Sequence, residues 1–392
     1  MKYRFKYRFS LARFVPICLV LLGILAAALS ALAQAPATGK IVQMDRDSFQ
    51  RQLKALGYKR RGGIDRAKTD SSDQRFRSLT HFSSSFTVGG VTYPYTMLGF
   101  PPRSGRQAEF RSVVIPLRMN FFGFGPDPIV FEPGPAVTNI INSPMYRSAQ
   151  FANGFGQFGE MMQRATFWNK MDPGREWRVR MARPRVMQTV DIEVTPETGS
   201  LFKIGSAVFG NVLIDFMDAQ AQTIIQLSGL DPDELPVFVT DNVTAEALGY
   251  HTAVSVLNPD GTETFQTYLY TSWLDPALVD PIIADVSTFN HENLEWFNDP
   301  FVNNVVPTWR YPPQSDPRAV CSGNSFLEVG DPEGNGPTFD DFPTVVVPID
   351  GVDYHLQDLV MLPYFGAPTS TSVNGWLSFQ HNTSLSMCSN GS

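Results

Sequence analysis

The stretch His291-Glu292-Asn293-Leu294-Glu295-Trp296-Phe297-Asn298-Asp299-Pro300 decides how the rest of the chain is read. In a helix, His291 and Glu295 lie four residues apart on one face with neighbouring side chains. Asp299 falls four residues further along, at about the same face, where the helix must stop before Pro300. Asp280-Pro281 upstream is a helix start, with Asp at the cap and Pro first inside, so the pattern predicts one helix from Pro281 to about Asn298. Its stripe of Ala284, Thr288, His291 and Glu295 is small or polar. Ile282, Val286 and Phe289 flank the stripe on one side, and Ile283, Leu294 and Phe297 on the other. That predicts a buried helix whose stripe floors a cleft.

The residue types suggest metal chemistry. Zinc hydrolases with an H-E-x-x-H helix keep their general base at the position of Glu292, with the two histidines as ligands. Here the second histidine is a carboxylate, Glu295. A third ligand would come from Asp299 at the helix end or from Glu328 in Leu327-Glu328-Val329-Gly330-Asp331. Asp331 would then bind the metal or hold a ligand in place. Carboxylates harden the site, so zinc stays possible while manganese and calcium gain ground. The structural alternative is a buried intrahelical His291–Glu295 pair without a metal. His251 is expected in the core, at the surface or against a substrate, and His81, His355 and His381 in structural roles. No G-x-S-x-G nucleophile elbow occurs.

Residues 1–33 have the form of a secretory signal: Lys2, Arg4, Lys6, Arg8 and Arg13 precede an apolar run from Phe14 to Leu32, and Ala31-Leu32-Ala33 ends it. The reading is a secreted protein, periplasmic or extracellular, without a membrane anchor after signal cleavage. In that oxidising setting Cys321 and Cys388 are expected to pair as a disulfide, two buried thiols being the alternative. Charge is unevenly distributed. Residues 34–185 carry 23 basic and 11 acidic side chains, whereas from Val186 onward three basic residues (Lys203, Arg310, Arg318) accompany 27 acidic ones. The halves could attract each other, and the acidic half would favour cations and repel phosphates. Nucleic acid is therefore disfavoured as a partner.

Along the chain, residues 34–75 are polar and basic, with one short helix expected near Ser48–Leu56 and a break at Lys59-Arg60-Arg61-Gly62-Gly63. They read as a linker or removable pro-segment. Residues 76–205 read as a β-rich subdomain, with a hairpin turn at Gly89-Gly90 and a strand at Val113–Leu117. In 206–392 the order is cleaner: a helix over Val212–Leu227, a strand at Val237–Thr240, two strands (Tyr250–Val256, Thr264–Tyr270) joined at Asn258-Pro259-Asp260-Gly261, then the motif helix.

The motif His291-Glu292-x-x-Glu295, continuing through Asp299-Pro300-Phe301-Val302-Asn303-Asn304 and followed by Glu328-Val329-Gly330-Asp331, resembles uncharacterised bacterial secreted proteins that share an HExxEWxxDPFVNN stretch. More distantly it is similar to plant Exordium-type, phosphate-induced secreted proteins. The bacterial likeness runs from about Thr80 to Phe379, the plant likeness over residues near 236–332. Asn290 departs from the serine expected before His291. The resemblance implies a zincin-like fold with an extracellular or cell-envelope location, and brings no reaction with it. The expectation is an α+β protein with a β-rich N-terminal subdomain and a zincin-like C-terminal half. It would be a metal-dependent hydrolase, peptidase-like, with Glu292 activating water. The alternative is a non-catalytic scaffold of the same fold, holding calcium and binding a cell-envelope polymer or protein.

Overall fold

The computed structural model describes residues 38–57, 59, 61–62, 79–258, 260–307, 309–310, 324–331, 344–359, 379 and 386–387. The signal segment and Cys321 and Cys388 lie outside them, as does His381.

The chain is α+β, built on one long strand. Strand β1 (Ile41–Gln43) and helix α1 (Arg46–Leu56) come first, then the hairpin β2 (His81–Val88) and β3 (Val91–Leu98), which turns at Gly89-Gly90 as expected. Strand β4 (Gln107–Phe121) follows, with β5 (Ile129–Phe131), helix α2 (Gly134–Asn142), the small hairpin β6 (Ala149–Phe151) and β7 (Gly154–Gly156), and helix α3 (Phe158–Thr166). Next come β8 (Arg178–Met181), β9 (Arg185–Val186), β10 (Val190–Val194), β11 (Gly199–Ile204) and β12 (Ala207–Val212). Helix α4 (Ile214–Ser228) leads to β13 (Glu234–Asp241), β14 (Val243–Thr244), β15 (Gly249–Leu257) and β16 (Glu263–Trp273). Helix α5 (Ser287–Asn298) carries the motif. Beyond it lie β17 (Val305–Pro307), β18 (Trp309–Arg310), β19 (Asn324–Phe326), and the hairpin β20 (Thr344–Ile349) and β21 (Val352–Gln357).

The large sheet runs β10-β4-β13-β16-β15. β4, β13 and β16 are mutually parallel, and β15 returns antiparallel to β16 at the end of the sheet. On its other edge β4 takes β8, β9 and β10 in succession, all parallel. Every residue of β13 is buried, as parallel strands covered on both faces must be. Val113, Ile115, Leu117 and Met119 of β4 pack with Met217, Ala221 and Ile225 of α4. Phe110 and Val114, of opposite parity, join Ile140, Phe158, Phe289 and Phe297 of α2, α3 and α5. The sheet is therefore the middle layer of three.

One sequence expectation changes here, and two others gain a structural setting. The boundary at residues 205/206 falls in the turn of the β11–β12 hairpin, and β4 of the first half is hydrogen-bonded to β13 of the second. Periodicity marks a strand but not its partner, so the two halves share one sheet. Residues 34–75 also contain packed structure: β1 pairs with β11, and α1 buries Phe49 and Leu53 against Phe209, Leu248 and Leu274. The helix predicted from Pro281 is broken. Asp280 caps only a short 3₁₀ turn at Pro281–Ile283, and Asp285 at φ 39° separates it from α5.

The charge asymmetry has a structural counterpart. Arg61 reaches Asp215 and Asp218, Arg111 reaches Asp231 and Asp233, Arg147 reaches Asp350, and Arg185 reaches Glu234. Such partly exposed pairs are each worth about 0–1 kcal/mol, so they orient surfaces more than they hold the fold. No helix among the described residues is long and apolar enough to cross a membrane.

Because α1 is built into the core, Phe49→Ala should destabilise the protein by roughly 3–5 kcal/mol. Urea unfolding measures it; a loss under about 1 kcal/mol would show that α1 contributes no core.

Candidate metal centre

Helix α5 is buried on every side, against β3, β15, β16 and β21. Two glycines allow the close approach. A Cβ on Gly249 of β15 would stand 2.6 Å from Thr288 Cγ2 and 2.9 Å from Glu292 Cγ, and one on Gly159 of α3 would stand 2.9 Å from Phe297. Trp296 donates its indole N–H to Thr267 Oγ1 (2.9 Å) and stacks edge-on against Phe110.

Within this packing, polar side chains converge from four places in the sequence. His291, Glu292 and Glu295 come from α5, His251 from β15, Glu328 and Asp331 from the loop after β19, and Gln357 from the end of β21. His291 is 0%, Glu292 1%, and Glu295 and His251 each 3% exposed. Only the Asp331 side chain, at 32%, reaches solvent. Ligand atoms gather in two triads that share Glu295: His291–Glu295–Asp331 and His251–Glu292–Glu295. In the first, His291 Nε2 is 3.1 Å from Glu295 Oε2 and 3.8 Å from Asp331 Oδ1. In the second, His251 Nδ1 is 3.2 Å from Glu292 Oε2 and 3.7 Å from Glu295 Oε2.

The hydrogen bonds fix which atoms face inward. Gln357 Nε2 donates to Gly330 O (2.8 Å), which turns its Oε1 toward His291 Nδ1 (2.7 Å). Nδ1 therefore carries the proton, and the Nε2 lone pair points at the carboxylates. Likewise His251 Nε2 sits 3.2 Å from the Asp299 carbonyl and donates to it, so its Nδ1 lone pair faces Glu292. Glu295 Oε1 accepts the backbone N–H groups of Gly330 (3.0 Å) and Asp331 (3.2 Å), leaving Oε2 for the triads. Gly330 is required: a Cβ there would lie 2.3 Å from His291 Nδ1.

Electrostatically the cluster disfavours ionised carboxyls, and a cation among them would offset that. Burial pushes the Glu292, Glu295 and Glu328 carboxyls well above the usual carboxylate range, and neighbouring carboxylates, Asp331 among them, add to the shift. Burial also lowers His251 from the ordinary imidazole value, against the pull of Glu295 and Asp299. Among the described residues no Lys or Arg pairs with Glu292, Glu295 or Glu328. Buried Glu292 Oε1 and Glu328 Oε1 have no hydrogen-bond partner there either. Ligand atoms roughly 2.1 Å from a tetrahedral ion stand roughly 3.4 Å apart, and the four separations above bracket that value. The donor set fits a divalent cation.

The expected site residues divide accordingly. His291, Glu295 and Asp331 come together, with Glu292 on the adjoining turn. Glu328 lies beside Asp331 but in neither triad. Asp299 has another job. Its Oδ1 accepts the N–H of Asn303 (2.8 Å), and both oxygens accept that of Asn304 (3.1 Å each). Asn304 then clips the turn to β3, taking Thr96 N–H and giving to Thr96 O. Asp299 terminates the helix with φ −138°, which carries its side chain away from the line of His291 and Glu295. His355 is structural, its Nδ1 2.6 Å from Asp285. His251 is a member of the cluster that the sequence left ambiguous, since β15 is buried on both faces near it and shows no alternation. Gln357, 66 residues from His291, carried no sequence signal.

No protein-family model, curated protein or solved structure matches the chain.

Two substitutions separate ligands from supports. Asp299→Ala leaves two buried amides unpaired and should cost about 1–3 kcal/mol of stability each, without changing metal stoichiometry. Gln357→Leu should weaken zinc affinity by roughly 10–100-fold in competition with a chelating dye, because His291 loses the group that orients it. Zinc lost with Asp299, or unchanged affinity without Gln357, would reverse the assignment.

Proposed function

We propose that the chain is a secreted metal-dependent hydrolase of zincin-like fold, acting as a peptidase in the periplasm or outside the cell. The observation that carries this reading is the convergence of His291 Nε2, Glu295 Oε2 and Asp331 Oδ1, with Glu292 one residue from the first ligand on the same helix. The element order supports it. A helix (α4), a strand (β13), an antiparallel hairpin (β15, β16) and then the motif helix is the order in which zincin hydrolases build sheet and active helix.

His291, Glu295 and Asp331 would hold the metal, zinc being the first choice and manganese or calcium the alternatives for a carboxylate-rich set. The metal would supply Lewis acidity and a lowered pKa for water. The protein's own groups do the rest. Glu292 takes the proton from the attacking water through Oε1, the oxygen left without a partner. Gln357 fixes the His291 ring, and the Gly330 and Asp331 amides hold Glu295.

One observation favours a second reading, a non-catalytic scaffold. His291 and Glu295 are almost fully enclosed, as the ligands of an ion that merely fastens the 327–331 loop to α5 would be.

Glu292→Gln decides between them. Metal content, measured by elemental analysis, should stay at the wild-type level. Turnover of a mixed peptide library, followed by mass spectrometry, should fall roughly 10²–10⁴-fold. Turnover equal to wild type would sink the hydrolase mechanism, and an active-site metal with no turnover in either protein would favour the scaffold.

A further inference from the structure

Strand β15 ends the large sheet, so one row of its backbone groups faces away from β16. An exposed edge of this kind is a template for another extended chain. Here part of the row is already taken. The segment after α1 runs beside it in the same direction: Leu248 N–H donates to Gly57 O (2.9 Å) and Lys59 N–H to Gly249 O (3.5 Å). Further on, Thr252 Oγ1 donates to Gly62 O.

Arg61 fastens the segment. Arg61 forks across α4, with Nη1 2.8 Å from Asp215 and Nη2 3.0 Å from Asp218. Asp218 is itself buried and held by Tyr268 Oη (2.5 Å) and Gln222 Nε2 (3.0 Å). The receptor for the guanidinium is thus built and rigid. Among the described residues, the contacts that hold the segment are three to its backbone and this fork. Such a strap belongs to the low-stability end of a structure, whereas α1 before it is anchored in the core by Phe49 and Leu53.

Position gives the edge its significance. His251 lies inside the covered stretch 248–252, with its ring turned onto Glu292 and Glu295. A chain lying on this edge therefore runs alongside the candidate centre. Lys59, Arg61 and Gly62, from a break in the sequence that the metal chemistry leaves unused, supply the occupant.

We propose that the outer edge of β15, with the Asp215–Asp218 fork, is a binding site for an extended peptide bearing an arginine, and that Gly57, Lys59, Arg61 and Gly62 occupy it in cis as a built-in competitor. Release of the strap opens the edge to peptides in trans. Taking that peptide as the hydrolase's substrate rests on the reading above; the binding itself does not.

Arg61→Glu sets like charges against Asp215 and Asp218 and should free the strap. Hydrogen exchange at the Leu248 amide should then quicken. A fluorescein-labelled peptide of residues 56–63 (Leu-Gly-Tyr-Lys-Arg-Arg-Gly-Gly) should bind the variant at least about tenfold more tightly than wild type, because the competitor no longer occupies the site. The same peptide with glutamate for both arginines should not bind. If Arg61→Glu does not fold, Arg61→Gln serves, with a smaller gain in the same direction. Unchanged exchange at Leu248 overturns the latch. Equal binding to both proteins, or none to a variant whose exchange has quickened, overturns the site. Run in the Glu292→Gln background, the assay is blind to turnover, so peptide binding without hydrolysis in the parent protein would remove the hydrolase reading and leave this site standing.

Discussion

Everything distinctive in this molecule follows from carrying carboxylates into its core, two of them on one helix. A buried carboxylate without compensation costs several kcal/mol, and this protein places Glu292, Glu295 and Glu328 together there. The surrounding chain is shaped to answer them. Backbone amides of Gly330 and Asp331 come to one oxygen of Glu295, and imidazoles come to the other from α5 and β15. Those demands bring residues 251, 295, 330 and 357 to one point, and they fix where a glycine must stand.

The spacing of a motif need not all be chemistry, and the ten opening residues show it. His291, Glu292 and Glu295 face the cluster, whereas Asp299, at the same formal spacing, is spent on the turn that follows. It caps Asn303 and Asn304, and Asn304 in turn pins that turn to β3. Val302 at φ 51° is a strained position for a β-branched residue, held by the same network. A four-residue period says which side chains share a helical face only while the helix lasts. Asp299 lies past its end.

Much of the frame was legible beforehand because it rests on local rules. Gly89-Gly90 specified a hairpin, Gly229 ended α4, and the Asn258–Gly261 turn joined two strands at the places where backbone demands are simplest. Less was legible where distant partners decide. The apolar face of α1 is Phe49, Leu53 and Leu56, and nothing local announces Phe209 or Leu248 as the surface that receives it. Asp285 breaks the expected long helix because its carboxylate accepts from the His355 backbone and ring, 70 residues away. In the site, letters identified the α5 contributors and Asp331, while His251 and Gln357 are defined only by what they touch.

The uneven charge of the sequence acquires a physical meaning at this point. Arginines of the first half meet the excess acid of the second at the surface: Arg61, Arg111, Arg147 and Arg185 each find a carboxylate there. Inside, none of them reaches Glu292, Glu295 or Glu328, and two imidazoles with their inner nitrogens unprotonated supply lone pairs in place of charge. A long basic side chain would have compensated the carboxylates more simply, but it would also have filled the space among them. A small cation held there would keep the centre compact and would place positive charge between the carboxylate oxygens rather than beside them.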